Sequence, residues 1–355
     1  MFSSIKKFFF RKICIIIVKV FSPRSKLINF IFNLSKNLSG DSIYFCKYKD
    51  KEKLISFLNK KHQIENKNLY RDFENIEIDE NIKLILKDLN INGLSENFNS
   101  FISKNESENY NHEINNSDYY DSHVPYLTQK KNYKQYPDGP YKSYSYETQL
   151  NNETIIKICL DEKIIKIAKE YLGSIPKIYS INTFVTLPGK KAFTHDFHRD
   201  IDNLKWLVVF VYWTKTLSDD GAFEQIKYTH KPSLYLEDIL KKNNEYGGKF
   251  DDFFLKTVPG YGKNDKYHDL FNPEIINISG DPGKIVMSDT LGLHRGTNVK
   301  KIRNVTWIRY GVTSSRQDVL KNSEILNKKI RLSKETMKFI NNSKFGYVLS
   351  DLIEL

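Results

Sequence analysis

Two short stretches of this chain carry side chains able to hold a metal ion. In His198-Arg199-Asp200 an imidazole and a carboxylate stand two residues apart, and a second imidazole, His294, follows far downstream within Asp289-Thr290-Leu291-Gly292-Leu293-His294-Arg295-Gly296. In an extended strand, residues two apart share a face. His198 and Asp200 can therefore reach one ion, provided the fold delivers His294 on a neighbouring strand. Two imidazoles and one carboxylate on one side of a metal leave the opposite positions open, the ligand set of non-haem Fe(II) oxygenases. His195 is a rival imidazole, but Phe197 stands two residues on where an acid is needed, so His195 is read as a surface or supporting group. An acid at Asp200, rather than Ala or Gly, argues against halogenation, which needs that ligand position vacated.

A second set of residues suits a co-substrate. Arg303 lies nine residues after His294, enough for a turn and a return on the next strand. A guanidinium there can grip a carboxylate through two hydrogen bonds, as expected for an oxidase using a 2-oxo acid as electron donor. Arg309 is the competing arginine. Asn182 and Thr186 fall on one face of an expected strand and, with Thr290, are candidates for contacting the co-substrate. His230 reads as a turn residue, and Trp206, Phe210, Tyr212 and Trp213 read as core.

The elements that must position these groups change character along the chain. Asp79 is expected to cap a helix with Ile82, Leu86 and Leu89 on one face, ending near Gly93. Residues 103–111 lack an apolar period and read as a loop. Asp161 opens another helix that Gly173 stops. Strand-like segments then follow at residues 178–187, 205–213, 283–288 and 305–312, rich in Ile, Val, Thr, Tyr and Trp. Short strands without alternating helices point to an all-β double-sheet core. The domain reading is a helical, partly irregular extension over residues 1–120, a catalytic core over 121–315 with an insertion at about 233–270, and a helical tail over 316–355.

The 355 residues are 40% hydrophobic and 14% aromatic, enough for a real core. Three scattered cysteines without a CxxC pair argue against a disulfide framework or zinc site and fit a reducing compartment. The net charge of +12 comes without a nucleic-acid-binding signature, so nucleic acid is not an expected partner. Residues 6–21 are apolar but interrupted by charges. They are too short for a membrane span and suit either a docking helix or a helix lying on an anionic membrane surface. The expected localisation is cytoplasmic, with a peripheral place at the inner membrane face as the further option.

Several blocks together resemble the phytanoyl-CoA dioxygenase family: Tyr171-Leu172-Gly173-Ser174-Ile175-Pro176, the stretch from Phe197 to Lys205, Asp220-Gly221-Ala222-Phe223, Thr229-His230-Lys231-Pro232, and Asp289 to Gly296 with Arg303 and Arg309-Tyr310. They span roughly residues 140–315. The resemblance implies a mainly β fold with flanking helices around a double-stranded β-helix (jelly-roll) core, dependent on Fe(II), 2-oxoglutarate and O₂. It implies that His198, Asp200 and His294 bind iron and that Arg303 binds the far carboxylate of 2-oxoglutarate. Arg303 arrives one position early for that pattern, which keeps Arg309 in contention. The implied activity is hydroxylation of a small-molecule substrate, with anionic, lipid-linked or sugar-linked molecules favoured by the basic surface. The alternative is a jelly-roll scaffold at a membrane surface with a degenerate metal site. Oligomeric state is not legible in the sequence.

Overall fold

A computed structural model describes residues 2–39, 44–65, 67–117, 119–120, 141–144, 146–189, 193–201, 203–243, 246–257, 264–312 and 332–353. Five helices come first: α1 (Phe2–Val20), α2 (Lys26–Ser39), α3 (Tyr48–Glu65), α4 (Lys67–Glu74) and α5 (Glu80–Asn92). Helix α5 runs as expected between its caps. The Asp79 carboxylate accepts the Ile82 amide at 2.8 Å, and Gly93 closes the helix in the left-handed region at φ 81°.

Strand β1 (Leu94–Ser95) and helix α6 (Lys104–Asn115) follow. The expected loop at 103–111 is in fact the start of α6. A capping box fixes it: the Ser103 hydroxyl accepts the Glu106 amide while Glu106 accepts the Ser103 amide. Its buried face is Ser107, Tyr110 and Ile114, too sparse to register as an apolar period. Strands β2 (Tyr119–Tyr120) and β3 (Tyr141–Tyr144) lead to helices α7 (Tyr146–Leu150), α8 (Glu153–Cys159) and α9 (Glu162–Leu172). Asp161 and Gly173 cap α9 as the sequence predicts.

The remaining elements carry most of the two sheets. They are β4 (Lys177–Thr186), β5 (Trp206–Tyr212), β6 (Phe223–Ile226), α10 (Leu234–Lys241), α11 (Phe250–Thr257), α12 (Asn264–Phe271), β7 (Ile275–Ile278), β8 (Ile285–Ser288), β9 (His294–Gly296), β10 (Arg303–Gly311) and α13 (Lys334–Asn342). The expected insertion is thus three short helices between β6 and β7. Residues 121–140 and 313–331, where the core domain and the tail were expected to begin, lie outside the described residues, as does Asp202.

Among the described residues the strands form a seven-stranded sheet, ordered β1-β8-β5-β10-β4-β3-β2, and a three-stranded sheet, ordered β7-β6-β9. All pairings are antiparallel. Together they make the double-stranded β-helix core. Strand β5 explains the layering, because its side chains alternate between two environments. Leu207, Val209 and Val211 pack with Ile164, Ile165 and Ala168 of α9 and the rest of the helical layer. Trp206, Val208, Phe210 and Tyr212 face the small sheet, where Phe210 meets Phe223 at 4.8 Å between ring centroids. A strand buried on both faces reads as a continuous apolar run, which is why β5 is visible in the sequence.

Polar groups on the helix-facing side are paired internally. Thr306 Oγ1 accepts the Trp213 indole N–H at 2.6 Å and shares a hydrogen with Thr183, which is also bonded to Tyr110. Thr306→Val strands that indole N–H and should cost about 1–3 kcal/mol in chemical denaturation. An unchanged unfolding midpoint would show that the network contributes nothing.

Candidate metal centre

The three predicted ligands converge, although their segments are barely strands. His198 lies outside the regular strands and forms an isolated antiparallel bridge with His294, the first residue of β9. The His198 amide donates to the His294 carbonyl at 2.9 Å, and the His294 amide donates back at 3.0 Å. The Asp200 amide extends the pairing to the Thr290 carbonyl at 3.0 Å. This backbone arrangement sets the imidazole rings 4.3 Å apart between centroids, with Asp200 oxygens 4.0 Å from His198 Nε2 and 3.7 Å from His294 Nε2. One donor atom from each of the three residues lies within 4.8 Å of the others.

The hydrogen-bond pattern fits a metal. His198 Nδ1 donates to the Asp196 carbonyl at 2.9 Å and His294 Nδ1 to the Gly292 carbonyl at 3.0 Å. Each ring then carries its proton on Nδ1 and turns the Nε2 lone pair toward the shared centre, the usual orientation of a ligating histidine. Burial keeps both imidazoles neutral, His294 with a pKa of about 3. Burial would raise Asp200, but Arg309, His294 and His198 outweigh it and hold the carboxyl at about 2. At neutral pH the site therefore offers two neutral imidazoles and one carboxylate, with no protein proton to displace, which suits a divalent cation.

The two arginines divide. On β10, residues 303, 305, 307 and 309 share the face toward the small sheet, with Val305 in the inter-sheet core and Trp307 packed against it. Arg309 Nη2 donates to Asp200 Oδ2 at 2.9 Å, and its guanidinium lies 4.5 Å from the Trp307 ring centroid. Arg303, at the other end of the face, donates to the Gly221 carbonyl and, at 3.3 Å, to the Thr186 hydroxyl. Its Nε is buried without a hydrogen-bond partner. Gly221, in the left-handed region at φ 78°, is required beside it: a Cβ there would stand 2.8 Å from Val299 Cγ1 and 2.9 Å from Arg303 Cδ, while a Cβ on Gly296 would meet Nη2 at an ordinary 3.4 Å. Gly296 is two residues along β9 from His294, a separation of about 7 Å in a strand.

Thr186 thus meets Arg303 directly. Asn182 lies on the same face of β4, buried, with its Oδ1 unpartnered. Thr290 is a brace for the carboxylate: its hydroxyl contacts Asp200 and accepts the Trp206 indole N–H at 2.8 Å. His195 is buried rather than superficial, edge-on to Tyr141 at 6.1 Å, and stands outside the ligand cluster. His230 is buried beneath Gly93, past the turn marked by Tyr228 at φ 66°.

Two supporting residues, Arg199 and Lys51, escaped sequence reasoning, while Lys205 reads from the sequence as a strand-orienting, substrate-contacting or simply exposed residue. Arg199, between the two ligands, points to the opposite side. It is buried against Phe253 and Phe254 of α11 and donates to Thr257 Oγ1 at 2.7 Å, the Thr229 carbonyl at 2.6 Å and the Leu291 carbonyl. It ties both ligand segments to the inserted helices. Lys51 of α3 and Lys205 line a cavity of about 280 Å³ beside the Asp289–Leu291 turn. Burial lowers each ammonium to about 8, and Lys51 Nζ has no hydrogen-bond partner. Only the i, i+2 alternation marked Arg199 as opposite to the ligands, and nothing local marked Lys51.

Neither a protein-family model nor a curated protein matches the chain, so the family resemblance read from the sequence is not established. Solved structures are similar at a distance. The α-ketoglutarate-dependent epimerase SnoN from nogalamycin biosynthesis matches at 11% identity and a TM-score of 0.43, over 68% of this chain and 87% of that one. HygX from Streptomyces hygroscopicus, holding nickel, 2-oxoglutarate and hygromycin B, matches at 11% identity and 0.43, over 64% and 86%. EctD from S. alaskensis, with 2-oxoglutarate and 5-hydroxyectoine, matches at 14% and 0.43, over 66% and 77%. At such distances the site stands on its own geometry.

Burial places three histidines well below their ordinary value of 6.5: His62 at about 4, and His230 and His294 at about 3. Unfolding releases each to take up a proton between those values and 6.5. The stability they contribute is therefore complete above about pH 6.5 and is lost as pH falls toward 3. Urea midpoints of the metal-free protein should drop across that window, less steeply in His230→Gln. A flat profile would contradict the buried neutral assignment.

Proposed function

We propose that the chain is an Fe(II)- and 2-oxoglutarate-dependent oxygenase that hydroxylates a C–H bond of a small molecule. The overall balance is substrate, 2-oxoglutarate and O₂ giving hydroxylated substrate, succinate and CO₂, with one oxygen atom entering the alcohol and the other succinate. The observation that carries this reading is the His198/Asp200/His294 cluster, two buried imidazoles and a half-buried carboxylate, with both Nε2 lone pairs and the ionised carboxylate turned to one centre. When bound there, iron supplies the open coordination positions and redox chemistry that the side chains lack.

The chain's own residues divide the remaining work. Arg303 and Thr186 suit the far carboxylate of 2-oxoglutarate: the guanidinium lies within reach of the ligand cluster, and its buried Nε has no partner in the protein. Asn182 offers a further polar atom on the same face. Arg309 is a poor anchor for the co-substrate because Asp200 already engages it. Its role is to hold the carboxylate ionised and steer one oxygen. Thr290 fixes the same carboxylate from the other side. Phe223, 5.7 Å from His294 between ring centroids and backed by Phe210, gives the centre an apolar wall.

The cavity by Lys51 and Lys205 is walled in part by Trp206, whose indole bonds Thr290 beside Asp200, and its two cations, set against Glu52 and Asp289 in the same wall, suit the anionic end of a substrate. Asp289 in that wall is already committed to the Tyr171 hydroxyl and the Leu291 amide, whereas Lys51 has no acceptor.

Turnover of 2-oxoglutarate to succinate without substrate, measured with Fe(II) in air, should be lost in Asp200→Ala. Retained iron-dependent turnover would sink the assignment. Arg303→Ala should raise the KM for 2-oxoglutarate by about tenfold or more, the scale of losing a bidentate charge-assisted grip, while Arg309→Lys leaves that KM nearly unchanged. The reverse ranking would move the co-substrate to Arg309.

A further inference from the structure

Helices α1 and α2 pack on one another and on the helical layer through only part of their apolar surface. Cys14 and Ile17 of α1 and Phe32 of α2 are buried. On the opposite side of α1, Ile5, Phe9, Ile16 and Val20 recur with helical spacing and face solvent, Phe9 at 59% and Val20 at 68% exposure. Helix α2 repeats the arrangement with Leu27, Phe30, Ile31 and Leu34, where Leu27 is 64% and Phe30 65% exposed. Two adjacent helices thus each turn an apolar strip outward, which a water-facing helix does not do without a partner.

Charge identifies that partner. Residues 1–40 contain eight lysines and arginines and no acidic residue, so two thirds of the chain's net +12 sits in this hairpin. Lys6, Lys12, Arg24 and Lys26 are exposed. Lys12 lies within the apolar strip of α1, its ammonium 5.1 Å from the Phe8 ring centroid, a position from which a long side chain can reach up to headgroups while its stem stays apolar. Lys19 is held by Asp50 of α3 at 2.8 Å, which ties the hairpin to the body of the protein. No described helix is long and apolar enough to cross a membrane. A second copy of the chain is a poor occupant, because a two-fold contact through this face would set like charges together.

We infer that the α1–α2 hairpin docks the protein on an anionic lipid bilayer surface. The apolar strips enter the boundary between headgroups and acyl chains, and the surrounding cations meet the lipid phosphates. The enzyme would then meet substrates presented at, or dissolved in, that surface. This inference stands on the hairpin alone and does not depend on the metal centre.

The test is co-sedimentation of the full chain with phosphatidylcholine vesicles, with and without phosphatidylglycerol. Binding should require the anionic lipid and weaken as salt is raised. Two exposed-surface variants separate the contributions: Phe9→Ser/Ile16→Ser/Phe30→Ser, and Lys6→Glu/Lys12→Glu/Arg24→Glu/Lys26→Glu. Each should retain the wild-type circular dichroism spectrum and lose at least about tenfold in vesicle affinity. Wild-type protein that ignores anionic vesicles, or apolar variants that bind as tightly as wild type, would overturn the inference. So would light scattering showing a dimer that the apolar substitutions dissociate, because the strips would then belong to a second copy.

Discussion

Two reciprocal backbone hydrogen bonds between His198 and His294 decide where everything else at the site must be. The pairing joins the segment before β5 to the first residue of β9 and so links the two sheets at the point where the ligands stand. Once it forms, the imidazoles lie side by side, and the Asp200 amide reaches Thr290 one pair further along. The Nδ1 atoms find the Asp196 and Gly292 carbonyls within their own turns. Ligand orientation is therefore set by main-chain geometry. Such a site is preorganised before any metal arrives, and this limits the entropy lost on binding.

The same alternation that buries β5 on both faces sorts the functional residues of β10. Odd positions from Arg303 to Arg309 look toward the small sheet, while Thr306, Ile308 and Tyr310 look toward the helices. One strand thereby places two arginines in the inter-sheet space without either reaching the helical core. They differ in what meets them. Arg309 finds the ionised Asp200, and Arg303 finds Gly221 and Thr186, where the absence of a Cβ on Gly221 makes room for the arginine stem. Arg199, on the opposite side of the ligand segment, couples the site to the inserted helices and gives them a structural reason to lie over it.

Much of this was legible in the sequence where a local rule had a clear signature. Asp79 to Gly93 and Asp161 to Gly173 are capped helices with apolar faces, and β4, β5, β8 and β10 are runs of β-branched and aromatic residues. The metal ligands were legible as chemistry, through the spacing of His198 and Asp200. Other parts were hidden for physical reasons. Helix α6 buries only three residues, so its evident signal was the Ser103/Glu106 capping box rather than a period. Strands β6 and β9 are four and three residues long and carry the polar side chains Glu224, Gln225 and Arg295, held by pairing and not by propensity, and β7, though rich in isoleucine, is only four residues long. Lys51 reaches the site from α3 through tertiary packing alone. The contacts that set Arg303 and Arg309 apart, with Thr186 and with Asp200, are ones that spacing does not encode.

We propose that His198, Asp200 and His294 hold iron, with 2-oxoglutarate bound beside it and anchored at Arg303. Anaerobic titration of the full chain with Fe(II) and then 2-oxoglutarate tests this most directly, because a 2-oxo acid chelating Fe(II) gives a weak visible charge-transfer band. The wild-type protein should show that band, Asp200→Ala should lose it, and Arg303→Ala should require higher 2-oxoglutarate. No band in the wild type, or an undiminished band in Asp200→Ala, would contradict it.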